Sequence, residues 1–241
     1  PVSPIQSSSY PTVLVNAMVK PWTAFPIKGV IWYQGEANVG RPEQYGDLFP
    51  ALITDWRRQW RSDFPFYFVQ LANFMESKEI QPDSEWAALR EAQTKALKLD
   101  QVGMAVTIDI GLADDIHPKN KQEVGRRLAL VALAGSYGKN VSGSAPVFRN
   151  YRIKGDKMEL DFGQKQDGFQ IKGTTLKGFT IAGPDRVFYP AEAMVHDGKI
   201  ILSSTEVPAP LAARYGWADN PDCNLYGENG LPVAPFRTDC W

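Results

Sequence analysis

"KGVIWYQGEAN", residues 28–38, decides how this chain is read. Ile27, Val30, Ile31, Trp32 and Tyr33 are apolar or aromatic, the composition of a buried strand. The run then breaks into Gln34, Gly35, Glu36 and Asn38. A hydrophobic core does not accept amides and carboxylates without partners. Two amides and a carboxylate at the exit of an apolar strand therefore ask for a chemical use.

The flanking stretches alternate in type. "TVLVNAMVKPW" (12–22) reads as a short helix stopped at Pro21. After the strand at 27–33 comes "EQYGDLFPALITDWRRQW" (43–60), where Tyr45, Leu48, Phe49, Leu52, Ile53, Trp56 and Trp60 recur at helical spacing. "FPFYFVQLANF" (64–74) is aromatic and β-branched, hence a strand, and "SEWAALREAQTKALKL" (84–99) is a helix with Ser84 as its cap. "VGMAVTIDIG" (102–111) is a third buried strand. It is followed by the loop "LADDIHPKNK" and the helix "QEVGRRLALVALAGSYG". Strands alternating with helices predict an α/β fold, a parallel sheet with helices on both faces. From about residue 141 the pattern shifts to short strands parted by Gly, Asp and Lys: "MELDF", "FQIKG", "GFTIAG", "RVFYPAEAMV" and "KIILSS". The expected division is therefore an α/β part over 1–140 and a smaller antiparallel β-rich part over 141–241. Ala209 to Trp241 reads as an ordered, irregular wrap.

Composition narrows the function. Among 241 residues, 26 basic and 27 acidic side chains leave a net charge of −1, so there is no basic footprint for nucleic acid or a membrane surface. No apolar run approaches the ~20 residues that span a bilayer, and "PVSPIQSSSYPTV" shows no signal-peptide pattern. The only histidines are His117 and His196, and the only cysteines Cys223 and Cys240, without CxxC spacing, so no metal site and no cofactor is expected.

In an open parallel sheet, ligands sit beyond the carboxyl ends of the strands. Three strands here end in polar residues: Gln34-Gly35-Glu36, then Gln70 and Asn73, then Asp109 through His117. Strand ends need hydrogen-bonding side chains in any α/β fold, which is the plain account of Gln70, Asn73 and Asp109. "DDIHP" (114–118) is more pointed. In Asp114-x-x-His117 one turn brings a carboxylate to an imidazole, holding its tautomer while the other nitrogen acts as base. Asp115 competes for the same ring. Pro118 fits the first turn of the next helix. His196, in "VHDGK", falls in a hairpin turn.

Together "WYQGEAN" and "DDIHP" resemble blocks III and V of the SGNH-type serine esterases, most closely the sialate O-acetylesterase family. Ala37 stands where that family's strand-end motif has Ser. "YGDLFPALITDWR", "WAALREAQTKAL", "ARYGW" and "NLYGENGLPVAPFRTD" extend the resemblance over residues 11–241. It implies a partial SGNH, flavodoxin-like sheet and an O-acetylated sugar as substrate, most of all sialic acid. His117 would be the base and Asp114 its orienter. Gln34 and the Gly35 backbone would donate to the oxyanion, and Glu36 and Asn38 would fix the loop or touch substrate, with Gln34 and Asn38 both open as the side-chain donor. The family's nucleophile is a Ser in a Gly-rich block upstream of the matched region, and no such block occurs here. Ser7, Ser8 and Ser9 in "IQSSSYP" lack both the preceding strand and the Gly-rich turn. The expectation is that a missing N-terminal portion bears the nucleophilic Ser. Rival readings are an acetylxylan esterase and a non-catalytic remnant that binds glycan through Trp217, Tyr226 and Trp241. The resemblance favours a secreted or periplasmic setting. A Cys223–Cys240 disulfide, closing a loop of 17 residues, would suit that setting, and two unpaired thiols are the alternative.

Overall fold

A computed structural model of the chain describes residues 10–163 and 168–241, so Ser7, Ser8 and Ser9 lie outside the described residues. The first helix expected from sequence is two tight turns, a π-type turn over Val15–Val19 and a 3₁₀ turn over Lys20–Trp22 that contains Pro21. Neither turn buries a residue. Leu14, Met18 and Trp22 follow one another at helical spacing, and Phe25 lies just beyond. Their exposures are 50, 65, 63 and 61%.

The alternation then unfolds as the sequence dictates: β1 (Val30–Trp32), α1 (Pro42–Trp60), β2 (Phe66–Val69), α2 (Glu85–Thr94), β3 (Val102–Ala105) and α3 (Lys121–Gly135). The strands lie in the order β1-β2-β3 and all pair in parallel. Successive side chains of a strand face opposite sides. Phe66 and Phe68 pack with Phe49, Ile53, Trp86 and Leu89 beneath α1 and α2. Tyr67 and Val69 pack with Val124, Leu128 and Val131 of α3. All four residues of β2 are buried. Among the described residues β1 and β3 are the edge strands, and Ile31 of β1, between the inward Val30 and Trp32, is 70% exposed.

The antiparallel part holds β4 (Asn150–Lys154), β5 (Lys157–Asp161), β6 (Phe169–Ile171), β7 (Phe179–Ala182), β8 (Phe188–Pro190), β9 (Glu192–His196), β10 (Lys199–Ser203), β11 (Ala212–Tyr215), β12 (Leu225–Gly227) and β13 (Phe236–Arg237). They form the sheets β4-β5-β10-β9, β13-β11-β7-β8 and β12-β6, around Met158, Leu160, Phe162, Ile181, Ile200, Leu202 and Tyr215. Two differences from the sequence reading have physical reasons. β4 is exposed at every position, so it carries no apolar alternation to read. The segment expected to be an irregular wrap contributes β11, β12 and β13, which are held by partners distant in sequence. The turn at His196 is as expected, with Asp197 and Gly198 at φ 49° and 72° closing the β9–β10 hairpin.

An apolar edge strand and an apolar helical stripe left in water favour association. The 241-residue chain alone is therefore expected to self-associate in sedimentation velocity, and Trp22→Lys with Ile31→Lys should suppress it. A folded, monodisperse monomer would contradict this.

Acid should loosen the fold in a defined window. Glu123 accepts three hydrogen bonds from Arg126 and Arg127 (2.7, 2.7 and 2.8 Å), and these hold its carboxyl down at about 2. Lys154 and Lys199, at 2.7 and 2.5 Å, do the same for Glu159, also down to about 2. Both folded values lie below the ordinary 4.5, so the stability they contribute is whole above that pH and is lost as pH falls toward 2. The melting temperature should drop steeply across that interval, and less steeply in Glu159→Gln.

Candidate active site

Parallel pairing brings the carboxyl ends of β1, β2 and β3 to one edge of the sheet, so Gln34 and the loop carrying His117 share that edge. At the β1 exit, Gln34 Nε2 donates to Asn38 Oδ1 at 2.8 Å. The Tyr45 hydroxyl of α1 shares its proton between the backbone O and Oε1 of Gln34, at 3.2 and 3.3 Å. Gln93 of α2 donates from Nε2 to the same backbone O at 3.3 Å. Glu36–Asn38 form one 3₁₀ turn that opens on the buried Gly35. A Cβ on Gly35 would sit 3.1 Å from Gln93 Nε2 and 3.2 Å from Leu71, so the close approach asks for glycine. Since its Oδ1 accepts from Gln34, the Asn38 amide group is left to donate, and it has no partner among the described residues. The Glu36 carboxylate likewise has none. Burial first, and then Glu36, push the Tyr33 hydroxyl up to about 12.

The β2 exit carries the loop after β3. Thr107 donates to Gln70 O at 2.6 Å, and Asn73 Oδ1 accepts from Gly111 N at 2.6 Å. A Cβ on Gly111 would meet Asn73 O at 1.8 Å, so only glycine lies down here. Phe74 bridges Leu112, and Met75 N donates to Ala113 O at 3.1 Å. Beyond this anchor Ile116 packs into the core beside α2 and Pro118 is buried, which turns His117 outward. The His117 side chain is 85% exposed.

The carboxylate beside His117 is Asp115, not Asp114 as the motif spacing suggested. Asp115 Oδ1 accepts from His117 N at 2.9 Å and lies 3.4 Å from Nδ1. That backbone N–H, with the imidazole, holds the Asp115 carboxyl below its usual range. Asp114 makes no hydrogen bond or ion pair among the described residues. The reason is local: with Ile116 pointing inward, a two-residue Asx turn returns the Asp115 side chain to the His117 amide. Pro118 also departs from expectation. It precedes α3, whose cap is Asn120, accepting from Glu123 N at 3.1 Å. Lys121 Nζ sits 4.6 Å from the centroid of the Tyr33 ring and draws the start of α3 to the β1 exit.

Asp109 takes the plain role. It accepts two bonds from Arg127 and one from the Tyr226 hydroxyl at 3.0 Å. Cys223 and Cys240 are both free, and burial pushes the Cys223 thiol up to about 12. Sequence reasoning missed Tyr45, Arg90 and Gln93 as polar parts of the site's support. A signal existed: Trp86, Leu89, Arg90 and Gln93 recur at i, i+3, i+4 and i+7, so two polar residues occupy the core register of α2. Both are 0% exposed.

Comparison with known proteins places the chain in a family. The chain is 31% identical over 253 residues to the mouse (Mus musculus) sialate O-acetylesterase, covering 93% of this chain and 47% of that protein. It is 31% identical over 266 residues to the human (Homo sapiens) sialate O-acetylesterase, covering 98% of this chain and 50% of that protein. The chain thus spans about half the length of the curated relatives it matches. The crystal structure of a carbohydrate acetylesterase from Xanthomonas citri superposes with a TM-score of 0.91 at 46% identity, over 96% of this chain and 55% of that one. Residues 5–134 match the family described as carbohydrate esterase, sialic acid-specific acetylesterase, and the chain belongs to that family.

Proposed function

We propose that this chain carries the acid–base and oxyanion half of a serine esterase that removes O-acetyl groups from a sugar. The observation that supports it is the placement, past the carboxyl ends of one parallel sheet, of amide groups at Gly35 and Asn38 without a partner among the described residues and of the His117–Asp115 pair. In this reading the nucleophilic serine belongs to polypeptide outside these 241 residues, in keeping with relatives about twice as long and with the uncovered β1 edge. Its oxygen attacks the acetyl carbonyl carbon while His117 Nε2 takes its proton, with Asp115 holding Nδ1. Asn38 Nδ2 and the Gly35 N–H receive the oxyanion, and Gln34 braces Asn38. His117 then returns the proton to the departing sugar oxygen. Water, deprotonated by the same imidazole, releases acetate. Glu36 is free to contact substrate hydroxyls.

Sialic acid is the first sugar to test, following the family match. Acetylated xylan is the second, the alternative that the strand-exit motifs leave open. A secreted or periplasmic setting and a division at about residue 140 belong to the same reading. No helix among the described residues is long and apolar enough to cross a membrane. A glycan-binding role for the C-terminal aromatics has less support, because cations cover their rings. Arg214 and Arg237 sit 5.0 and 4.7 Å from the centroid of the Trp217 ring, Lys172 sits 3.6 Å over Tyr226, and Arg186 sits 5.0 Å over Trp241.

The isolated chain should hydrolyse a chromogenic acetate ester negligibly, and recombination with the serine-bearing polypeptide should restore turnover. In the restored enzyme His117→Ala should abolish the gain. Asn38→Ala should lower kcat by roughly 10²–10³, the usual cost of one oxyanion donor. Asp115→Asn should cost at least about tenfold more than Asp114→Asn, since the wrong tautomer is then favoured. Turnover unchanged in His117→Ala would refute the mechanism.

A further inference from the structure

Gln93 is a wholly buried amide on the last turn of α2, and each of its polar atoms is spent on a strand exit. Its Oε1 accepts from Leu71 N at 2.9 Å, just past β2. Its Nε2 donates to Val69 O and to Gln34 O, both at 3.3 Å. The Gln34 carbonyl receives a second donor, the Tyr45 hydroxyl at 3.2 Å. Both donors rise from the core side of the sheet, where α1 and α2 pack. A backbone carbonyl has two lone pairs, and here each has a donor. A trans peptide is planar, so the N–H of Gly35 must point opposite to that carbonyl, away from Tyr45 and Gln93. That N–H makes no hydrogen bond among the described residues, although Gly35 is buried. The glycine Cα also presses on the Gln93 amide, where a Cβ would be 3.1 Å from Nε2.

We infer that Gln93, assisted by Tyr45, is a positioning residue: its amide locks the Gln34–Gly35 peptide so that the Gly35 N–H is preorganised as an oxyanion donor. This rests on the esterase reading above. Preorganised donors lower barriers because their dipoles need no reorientation as charge develops. A peptide released to rotate therefore loses turnover rather than ground-state affinity.

The test uses the full natural polypeptide that carries these residues, labelled with 15N-glycine, with a chromogenic acetate ester as substrate. Gln93→Leu removes the amide. Gln93→Glu keeps an acceptor for Leu71 N but loses the donor to Gln34. Tyr45→Phe deletes one oxygen and keeps the packing, so it folds even where the Gln93 variants do not. In each variant the Gly35 amide resonance should shift, while glycines remote from the site, such as Gly155, stay in place. Against the roughly 10²–10³ that a whole oxyanion donor is worth, kcat should fall about ten- to a hundredfold for either Gln93 variant and about three- to tenfold for Tyr45→Phe. KM should stay within about twofold. A Gly35 resonance unmoved in Tyr45→Phe and in the folded Gln93 variants, or a raised KM with kcat intact, would overturn the inference. Wild-type protein without turnover, whose Gly35 amide still answers to Gln93, would overturn the esterase reading and leave the positioning standing.

Discussion

The guanidinium of Arg90 lies entirely out of water and makes no ion pair among the described residues. Burial draws it down to about 9, the sign of a charge that the interior resists. Four backbone carbonyls offset that cost. Nε donates to Leu71 O at 2.9 Å, Nη1 to Ala218 O at 2.7 Å, and Nη2 to Ala72 O and Asp219 O at 2.8 Å each. Two of these carbonyls belong to the β2 exit and two to the C-terminal segment, so one side chain joins stretches of chain far apart in sequence. Asp219 extends the knot, accepting from Ser84 at 2.6 Å, and Ser84 in turn caps α2 through Ala87 N at 3.0 Å. A buried charge satisfied only by carbonyl dipoles tolerates little displacement, because any lost bond leaves it unpaired.

From that knot the site is built outward by backbone contacts. The β2 exit, held by Arg90 on one side and Gln93 on the other, becomes a platform. Asn73 and Gly111 lay the loop after β3 across it, and Asn220 secures Asn73 from the C-terminal segment at 2.7 Å. His117 emerges at the end of this cantilever, carried by Ile116 and Pro118 beneath it. The β1 exit is tied to the same platform by one amide, Gln93. The β1 exit and the His117 loop are thus referred to a common strand, β2, through buried and half-buried side chains. The opposite flank of β1 has no such partner among the described residues, and Ile31 stays exposed there.

Much of this was legible in the residues themselves. The four apolar residues of β2, the stripe of α1 apart from the exposed Leu48, and the Ser84 cap follow from periodicity and local hydrogen bonding, which need only near neighbours in sequence. So does the placement of "QGEAN" and "DDIHP" at strand exits, since a parallel sheet orients all its strands alike. What the sequence could not decide was every choice between equivalent neighbours. Asp114 and Asp115 are adjacent carboxylates before one imidazole, and with Ile116 packed against the core it is Asp115 that lies 3.4 Å from His117 Nδ1. Gln34 and Asn38 are two amides in one motif, and the Tyr45 hydroxyl, 11 residues on, donates to Gln34 Oε1 while Gln34 Nε2 donates to Asn38, contacts that the motif alone does not specify. Arg90 and Gln93 stood at core positions of a helical pattern, yet their acceptors lie as far as 129 and 59 residues away. Local chemistry determined the elements and the reactive residue types. Only packing, which brings remote carbonyls to a buried donor, determined which way each of those groups points.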